Sequence, residues 1–225
     1  MSFSDLLPFL AVGTVLVASY GYYCLRTGVP TFPSMPVARD KITALLQADC
    51  AARSQDKPYK IYDLGAGSGQ LSWHIARAMP QAQIIGIELS FVPWLRATIW
   101  QKLTRQQNLR YLRVNFWNYP IADADAVLTY LMEAIMPRVS AKLRQELRPQ
   151  TMVISNKFPL PEWEPIDTFT LQSAFSKKLL VYRQASPTQN KTVVYPSAQV
   201  LPSFQDMLSD EESLNTEGQP LQYSA

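Results

Sequence analysis

One histidine and two cysteines are all that this chain of 225 residues holds of either type, and both scarcities exclude chemistry. Cys24 and Cys50 cannot build a disulfide framework, and neither has the paired spacing of a zinc site, so a reducing compartment fits. His74 cannot supply a histidine-based metal site alone; it reads as an ordinary helix residue, and no metal is expected. No internal repeat is found. The length suffices for one domain with a full core and is too short for two domains plus linkers. Bases are missing from both ends: all 21 Lys and Arg lie between Arg26 and Lys191, a span with an excess charge of +9. From Ala198 to Ala225 there are five acids and no base. A basic body suits an anionic partner, a membrane surface or a nucleic acid, with a merely soluble basic surface as the plain alternative.

Charge is also absent from Leu6 to Leu25, "LLPFLAVGTVLVASYGYYCL". At ~1.5 Å per residue these twenty residues span ~30 Å, the thickness of a bilayer's hydrocarbon core. Pro8 falls in the first turn, and Tyr20, Tyr22 and Tyr23 cluster at the far end, where amphipathic rings favour the headgroups. A cleaved signal peptide competes, but no base precedes the segment and its apolar stretch exceeds the usual length. A buried core helix is the other alternative. We expect an uncleaved single-pass anchor. Arg26, Arg39 and Lys41 follow it while only Asp5 precedes it, which predicts the N-terminus outside and the body in the cytoplasm.

Beyond the anchor, Pro30, Pro33 and Pro36 predict an extended arm until about Ala38, followed by a short helix. The periods then alternate. "YKIYDLG", "QIIGIEL", "RYLRVNFW", "ADAVLTYL" and "TMVISNKF" read as strands, and "QLSWHIARAM", "FVPWLRATIWQKLTRQ" and "PRVSAKLRQEL" as helices. Pro93 is tolerable only in a first turn. "TFTLQSAF" and "KKLLVYRQ" predict a terminal antiparallel hairpin, and the whole a three-layer α/β sandwich. The expected organisation is a tail (1–5), a transmembrane helix (6–25), an arm and helix capping the site (26–50), the catalytic domain (51–184) and a disordered acidic tail (185–225).

Between the first strand and its helix lies "YDLGAGSGQL", with Gly65, Gly67 and Gly69 behind Asp63. Such a loop puts backbone amides at a helix N-terminus on the carboxyl edge of the sheet, where open α/β sheets bind ligands. A phosphate loop would need Gly-Lys-Ser/Thr, and here Gln70 and Leu71 follow Gly69. A dinucleotide loop would need glycine where Gln70 stands, and Asp63 gains nothing from a pyrophosphate. A cationic ligand without phosphate makes an asset of Asp63.

The pattern D-L-G-x-G-x-G with an acid closing the second strand resembles the seven-strand S-adenosylmethionine-dependent methyltransferases, a Rossmann-like fold. The resemblance implies S-adenosylmethionine as cofactor. Glu88 would accept both ribose hydroxyls, Leu89 would border the adenine, and Asp63, Gly65, Ala66, Gly67 and Gly69 would complete the cofactor contacts. A solvated strand end is the plain alternative for Glu88.

Further stretches resemble a narrower family, the membrane-anchored lysine methyltransferases of the ATP synthase c-subunit and the adenine nucleotide translocase. They are the anchor, "VPTFPS", "GIELSFVPWLRA", "VNFWN" and "KFPLPEWEP", in one order from the anchor to about Phe169. The resemblance implies that Asn115 and Phe116 meet the cofactor and that Phe32 and Pro33 cap it. That family has an acid where Asn115 stands; an amide oxygen still accepts a bond from the adenine amino group, without the charge. On position alone, Tyr130 and Glu133 follow the fourth strand where an acceptor arrives, and both also make sense as helix-start residues. Phe158 and Trp163 are candidates to line the entrance, and packing serves Trp163 equally well.

The expected function is methylation of a lysine in a membrane protein at the cytoplasmic face, with subunit c of ATP synthase a candidate substrate by analogy with that family. Methylation of a lipid or quinone competes, as does an anchored protein that binds the cofactor without turnover. A nucleic-acid substrate is disfavoured, since "TYLMEA" stands where an N/D-P-P-Y/F motif would be.

Overall fold

In the computed structural model, residues 36–53, 56–171 and 178–185 are described, together with three isolated helical positions, Leu7, Thr14 and Gly21. The expected anchor otherwise lies outside the described residues, as do the arm with Phe32 and Pro33 and the acidic tail from 186. Among the described residues no helix is long and apolar enough to cross a membrane.

Five strands, β1 (Lys60–Leu64), β2 (Gln83–Ile87), β3 (Leu109–Leu112), β4 (Ala126–Thr129) and β5 (Met152–Asn156), run parallel. β6 (Asp167–Thr170) and β7 (Lys178–Arg183) complete a seven-stranded sheet in the order β3-β2-β1-β4-β5-β7-β6. The terminal pair is antiparallel, as expected. β7 inserts beside β5, also antiparallel, and pushes β6 to the edge. β1, β2, β4 and β5 bury nearly every residue, which is why they read as continuous apolar runs. β6, at the edge, is largely exposed.

Successive side chains feed two cores. Ile61, Ile84, Leu109, Leu128, Ile154 and Val181 face one side, and Leu64, Ile87, Val127, Val153 and Tyr182 the other. Three helices supply the first core: α1 (Pro36–Ala51), α2 (Gln70–Ala78) and α3 (Phe91–Leu103), while α4 (Met136–Glu146) supplies the second. α1 starts at Pro36, two residues earlier than expected, because a proline in a first turn loses no hydrogen bond. Its Ala38, Ile42 and Leu46 belong to the sheet's core, so the sandwich begins at Pro36, inside the segment expected to serve as arm and cap. Asp49 fixes this helix by accepting from Arg53, Tyr59 and, at 2.5 Å, Arg183 of β7. His74 pairs with Asp40 at 3.1 Å, tying α2 to α1.

The third strand ends sooner than its sequence reading. After Leu112 the Oδ1 of Asn115 accepts from the backbone N–H of Trp117 at 3.1 Å, turning the chain into a 3-10 turn over Phe116–Asn118. Asn at such a cap competes with the strand ladder for the backbone.

Candidate functional site

The register aligns the carboxyl ends of the central strands. Leu64 stands beside Ile87 on one side and Thr129 on the other, and Thr129 stands beside Ser155. The strand order reverses between β1 and β4, so the loop after β1 opens at the point where such sheets bind ligands.

That loop is shaped by its glycines and by what they touch. Gly67 and Gly69 take φ of 56° and 77°, which side-chain-bearing residues adopt at a cost. A Cβ on Gly69 would sit 2.3 Å from the Tyr111 hydroxyl and 2.8 Å from Ala97, and one on Gly65 would sit 2.7 Å from Leu131. The ring of Tyr111 rises from β3 and passes over Gly86, where a Cβ would lie 2.6 Å away; its hydroxyl donates to the Gly69 carbonyl at 2.7 Å. The backbone N–H groups of Gly65 and Ala66 donate to the Ile87 carbonyl at 2.9 and 3.0 Å. The loop is therefore clamped between β2, β3 and Leu131, two residues after β4.

Two carboxylates front it. Glu88 is 9% exposed. Its Oε2 accepts from the backbone N–H of Gly67 at 2.8 Å and its Oε1 from that of Ser90 at 2.7 Å. A carboxylate has about four acceptor positions, so each oxygen retains one for a hydroxyl. Asp63 is buried and accepts from the Ser72 hydroxyl at 2.5 Å. Burial drives its pKa up to about 6; the Ser72 bond opposes the rise and the charge of Glu88 adds to it.

This donor set suits a cation with paired hydroxyls and does not suit a phosphate. Backbone amides alone would favour an anion at a helix start, but Gly67 already donates to Glu88 and no lysine or arginine lies in the loop. Asp63 adds a pH signature. Its raised pKa means that the native state holds a proton there which the unfolded chain, near 3.8, has released. The fold therefore gains stability as pH falls through about 6 and loses it as Asp63 ionises above that value. Binding of a cation runs the other way, since it needs the ionised form. S-adenosylmethionine affinity is expected to fall by up to about tenfold from about pH 7 to about pH 5, and Asp63→Asn to flatten that dependence, both by titration calorimetry.

The other expected site residues are distributed as follows. Leu89 is exposed beside Glu88, and Asn115 and Phe116 are half-buried in the turn after β3. Asn115 spends one acceptor position on Trp117, leaving its oxygen a second. The turn is held from below by α4, whose Arg138 lies 4.2 Å over the Trp117 ring and whose Lys142 donates to the Tyr119 carbonyl at 3.0 Å. Tyr130 is half-buried and its phenol is pushed up by burial. Glu133 is exposed and opens a 3-10 turn, Glu133–Ile135, ahead of α4. Phe158 adjoins the edge, its carbonyl accepting from the Ser155 hydroxyl at 2.5 Å. Trp163 lies deeper: its ring meets Tyr182 edge-on at 6.1 Å, and Tyr182 pairs with Val153, two residues below Ser155. Arg144 lies 5.9 Å over the Trp163 ring, and the indole Nε1 is buried without a hydrogen-bond partner among the described residues.

Sequence reading missed three residues here. Ser72 and Tyr111 position Asp63 and the loop, and Gly86 inside a strand was the available signal for a close approach. Thr129 ends β4 only 2% exposed, and its hydroxyl has no hydrogen-bond partner among the described residues. A polar residue closing "AVLT" was the signal. An open groove at the opposite, amino edge is lined by Arg53, Lys60, Asp123, Asp125 and Arg148, but these charges pair with one another.

Residues 63–167 match the family described as the ANTKMT methyltransferase domain. The chain is 31% identical over 116 residues to the adenine nucleotide translocase lysine N-methyltransferase of Mus musculus, covering 49% of this chain and 48% of that one. It is 29% identical over 113 residues to the ATP synthase C-subunit lysine N-methyltransferase of Xenopus laevis, covering 48% of each. It thus spans about half the length of these two relatives. A protein-lysine N-methyltransferase of Saccharolobus islandicus (strain REY15A) is 26% identical over 146 residues, 64% of this chain and 88% of that one. The fold is shared with an RNA methyltransferase of Salinibacter ruber solved with S-adenosyl-L-homocysteine, at a TM-score of 0.60 and 21% identity, covering 74% of this chain and 98% of that one.

Proposed function

We propose, for a chain whose residues 63–167 match the ANTKMT methyltransferase domain, that it transfers a methyl group from S-adenosylmethionine to a lysine side chain of a membrane protein. The observation that carries the reading is the pair of carboxylates, Asp63 and Glu88, closing adjacent strands around a lysine-free glycine loop. Three relatives named as lysine N-methyltransferases support the acceptor class. Two of those names give membrane-embedded targets, the translocase and the C-subunit of ATP synthase.

Glu88 holds the ribose hydroxyls, the glycine loop, free of side chains at Gly65, Gly67 and Gly69, lets the methionyl end approach its backbone, and Asp63 balances the ligand's positive charge. Leu89 borders the adenine, and Asn115 accepts from its amino group. When bound, S-adenosylmethionine supplies an electrophilic methyl on a sulfonium. The protein's work is to align a lysine amine with it and keep water away. The amine must first lose its proton, which passes to water at the mouth of the site before the methyl is transferred. Tyr130, kept as a neutral phenol by burial, offers an oxygen to the incoming amine, and the exposed Glu133 draws the ammonium to the lip. Thr129, which pairs with Leu64 at the end of β4, is buried with its hydroxyl unpartnered among the described residues, directly ahead of Tyr130 in the chain.

The uncharged segment 6–25 anchors the protein as a single pass, N-terminus outside and catalytic body in the cytoplasm, and Phe32 and Pro33 of the arm cap the cofactor. Confinement near the bilayer raises the effective concentration of embedded targets. Mass spectrometry of membranes with and without the chain tests the acceptor: a lysine whose methylation follows the chain supports it, and an unchanged lysine methylome overturns it.

A further inference from the structure

α3 is apolar on two faces. Inward, Pro93 and Ala97 are buried, with Trp94 packed on the core. Outward, Arg96, Ile99, Trp100 and Leu103 recur at helical spacing, and Ile99, Trp100 and Leu103 are 49%, 52% and 72% exposed. An exposed apolar patch on the outward face of such a helix marks an interaction site. Trp100 meets the ring of Trp73 edge-on at 6.1 Å, with Arg77 over Trp73 at 4.9 Å, so the patch continues onto α2. The sequence around it is basic, although Arg110, between Leu109 and Tyr111 of the first core, faces the other side of the sheet. Residues 89–122 hold five bases, Arg96, Lys102, Arg105, Arg110 and Arg113, and no acid. All five are exposed, and none forms an ion pair among the described residues.

We infer that this face of α3 rests on an anionic lipid surface. Tryptophan is enriched at the membrane interface, leucine and isoleucine enter the acyl boundary beside it, and unpaired arginines and lysines meet acidic headgroups. Charge complementarity favours this occupant over a second copy, whose matching face would bring further positive charges from Arg96, Lys102, Arg105 and Arg113. α3 begins three residues after Glu88 and runs down the flank of the sheet, so docking by this face leaves the carboxyl edge open at the side. The inference uses none of the residues 6–25 and rests on no assumption about methyl transfer.

The test uses the full chain reconstituted in phosphatidylcholine vesicles carrying phosphatidylglycerol, with brominated acyl chains as quencher of tryptophan fluorescence. The wild type is expected to be quenched, and Trp100→Phe, a mild change at an exposed position, to lose most of that quenching. Arg96→Glu combined with Lys102→Glu should lose it as well, and so should wild type in vesicles of phosphatidylcholine alone. Equal quenching in Trp100→Phe and wild type would overturn the inference. So would an unquenched wild type, the result if the acidic segment 198–225, another protein or a second copy covers the face.

Discussion

Replacing Glu88 by alanine is expected to weaken S-adenosylmethionine binding by about 100-fold, about 2.7 kcal/mol, in titration calorimetry. Two losses combine. The carboxylate is the acceptor for ribose hydroxyls, and charge-assisted bonds of this kind contribute roughly 1.5–3 kcal/mol. It is also the acceptor for the backbone N–H groups of Gly67 and Ser90, which the substitution leaves without a partner, Gly67 in a buried position. Glu88→Gln separates the two contributions. The amide keeps one acceptor oxygen but turns an NH2 group toward one of the two backbone donors, so an intermediate affinity is expected. An alanine variant binding as tightly as the parent would remove Glu88 from the cofactor site.

Gly69→Ala is expected to lower the melting temperature by roughly 10 °C and to remove cofactor binding with it. At φ 77° an alanine occupies the left-handed region at a cost of about 1–2 kcal/mol. Its Cβ would meet the Tyr111 hydroxyl at 2.3 Å and Ala97 at 2.8 Å. Overpacking of that sort adds about 1–3 kcal/mol. Tyr111 cannot swing aside cheaply, because it is buried over Gly86 and donates to the Gly69 carbonyl. For a domain of this size about 1 kcal/mol shifts the melting temperature by roughly 2–4 °C. The double variant Gly69→Ala, Tyr111→Phe separates the two effects: removing the hydroxyl that the new Cβ meets should restore part of the melting temperature. A thermal scan showing Gly69→Ala as stable as the parent would mean that the loop is not clamped on Tyr111.

Local pattern carried most of the elements. β1, β2, β4 and β5 were legible because strands buried on both faces are apolar at every position, and α2 and α4 because their buried residues recur at helical spacing. The insertion of β7 between β5 and β6 was not legible, since strand order is a long-range property absent from the residues of either strand. The end of β3 was misplaced because one side chain, Asn115, decides it. In the site, Asp63 and Glu88 stood out as acids ending apolar strands. Their supports did not: Ser72 reads as an ordinary helix residue and Tyr111 as an ordinary strand residue until the sheet brings both to the loop.

Isolated membranes incubated with the purified full chain and methyl-labelled S-adenosylmethionine provide the most direct test of the proposed activity. Label recovered on a protein lysine, and lost when Glu88→Ala replaces the parent chain, is the predicted result. Label only in the organic extract, no label at all, or label undiminished by Glu88→Ala would contradict it.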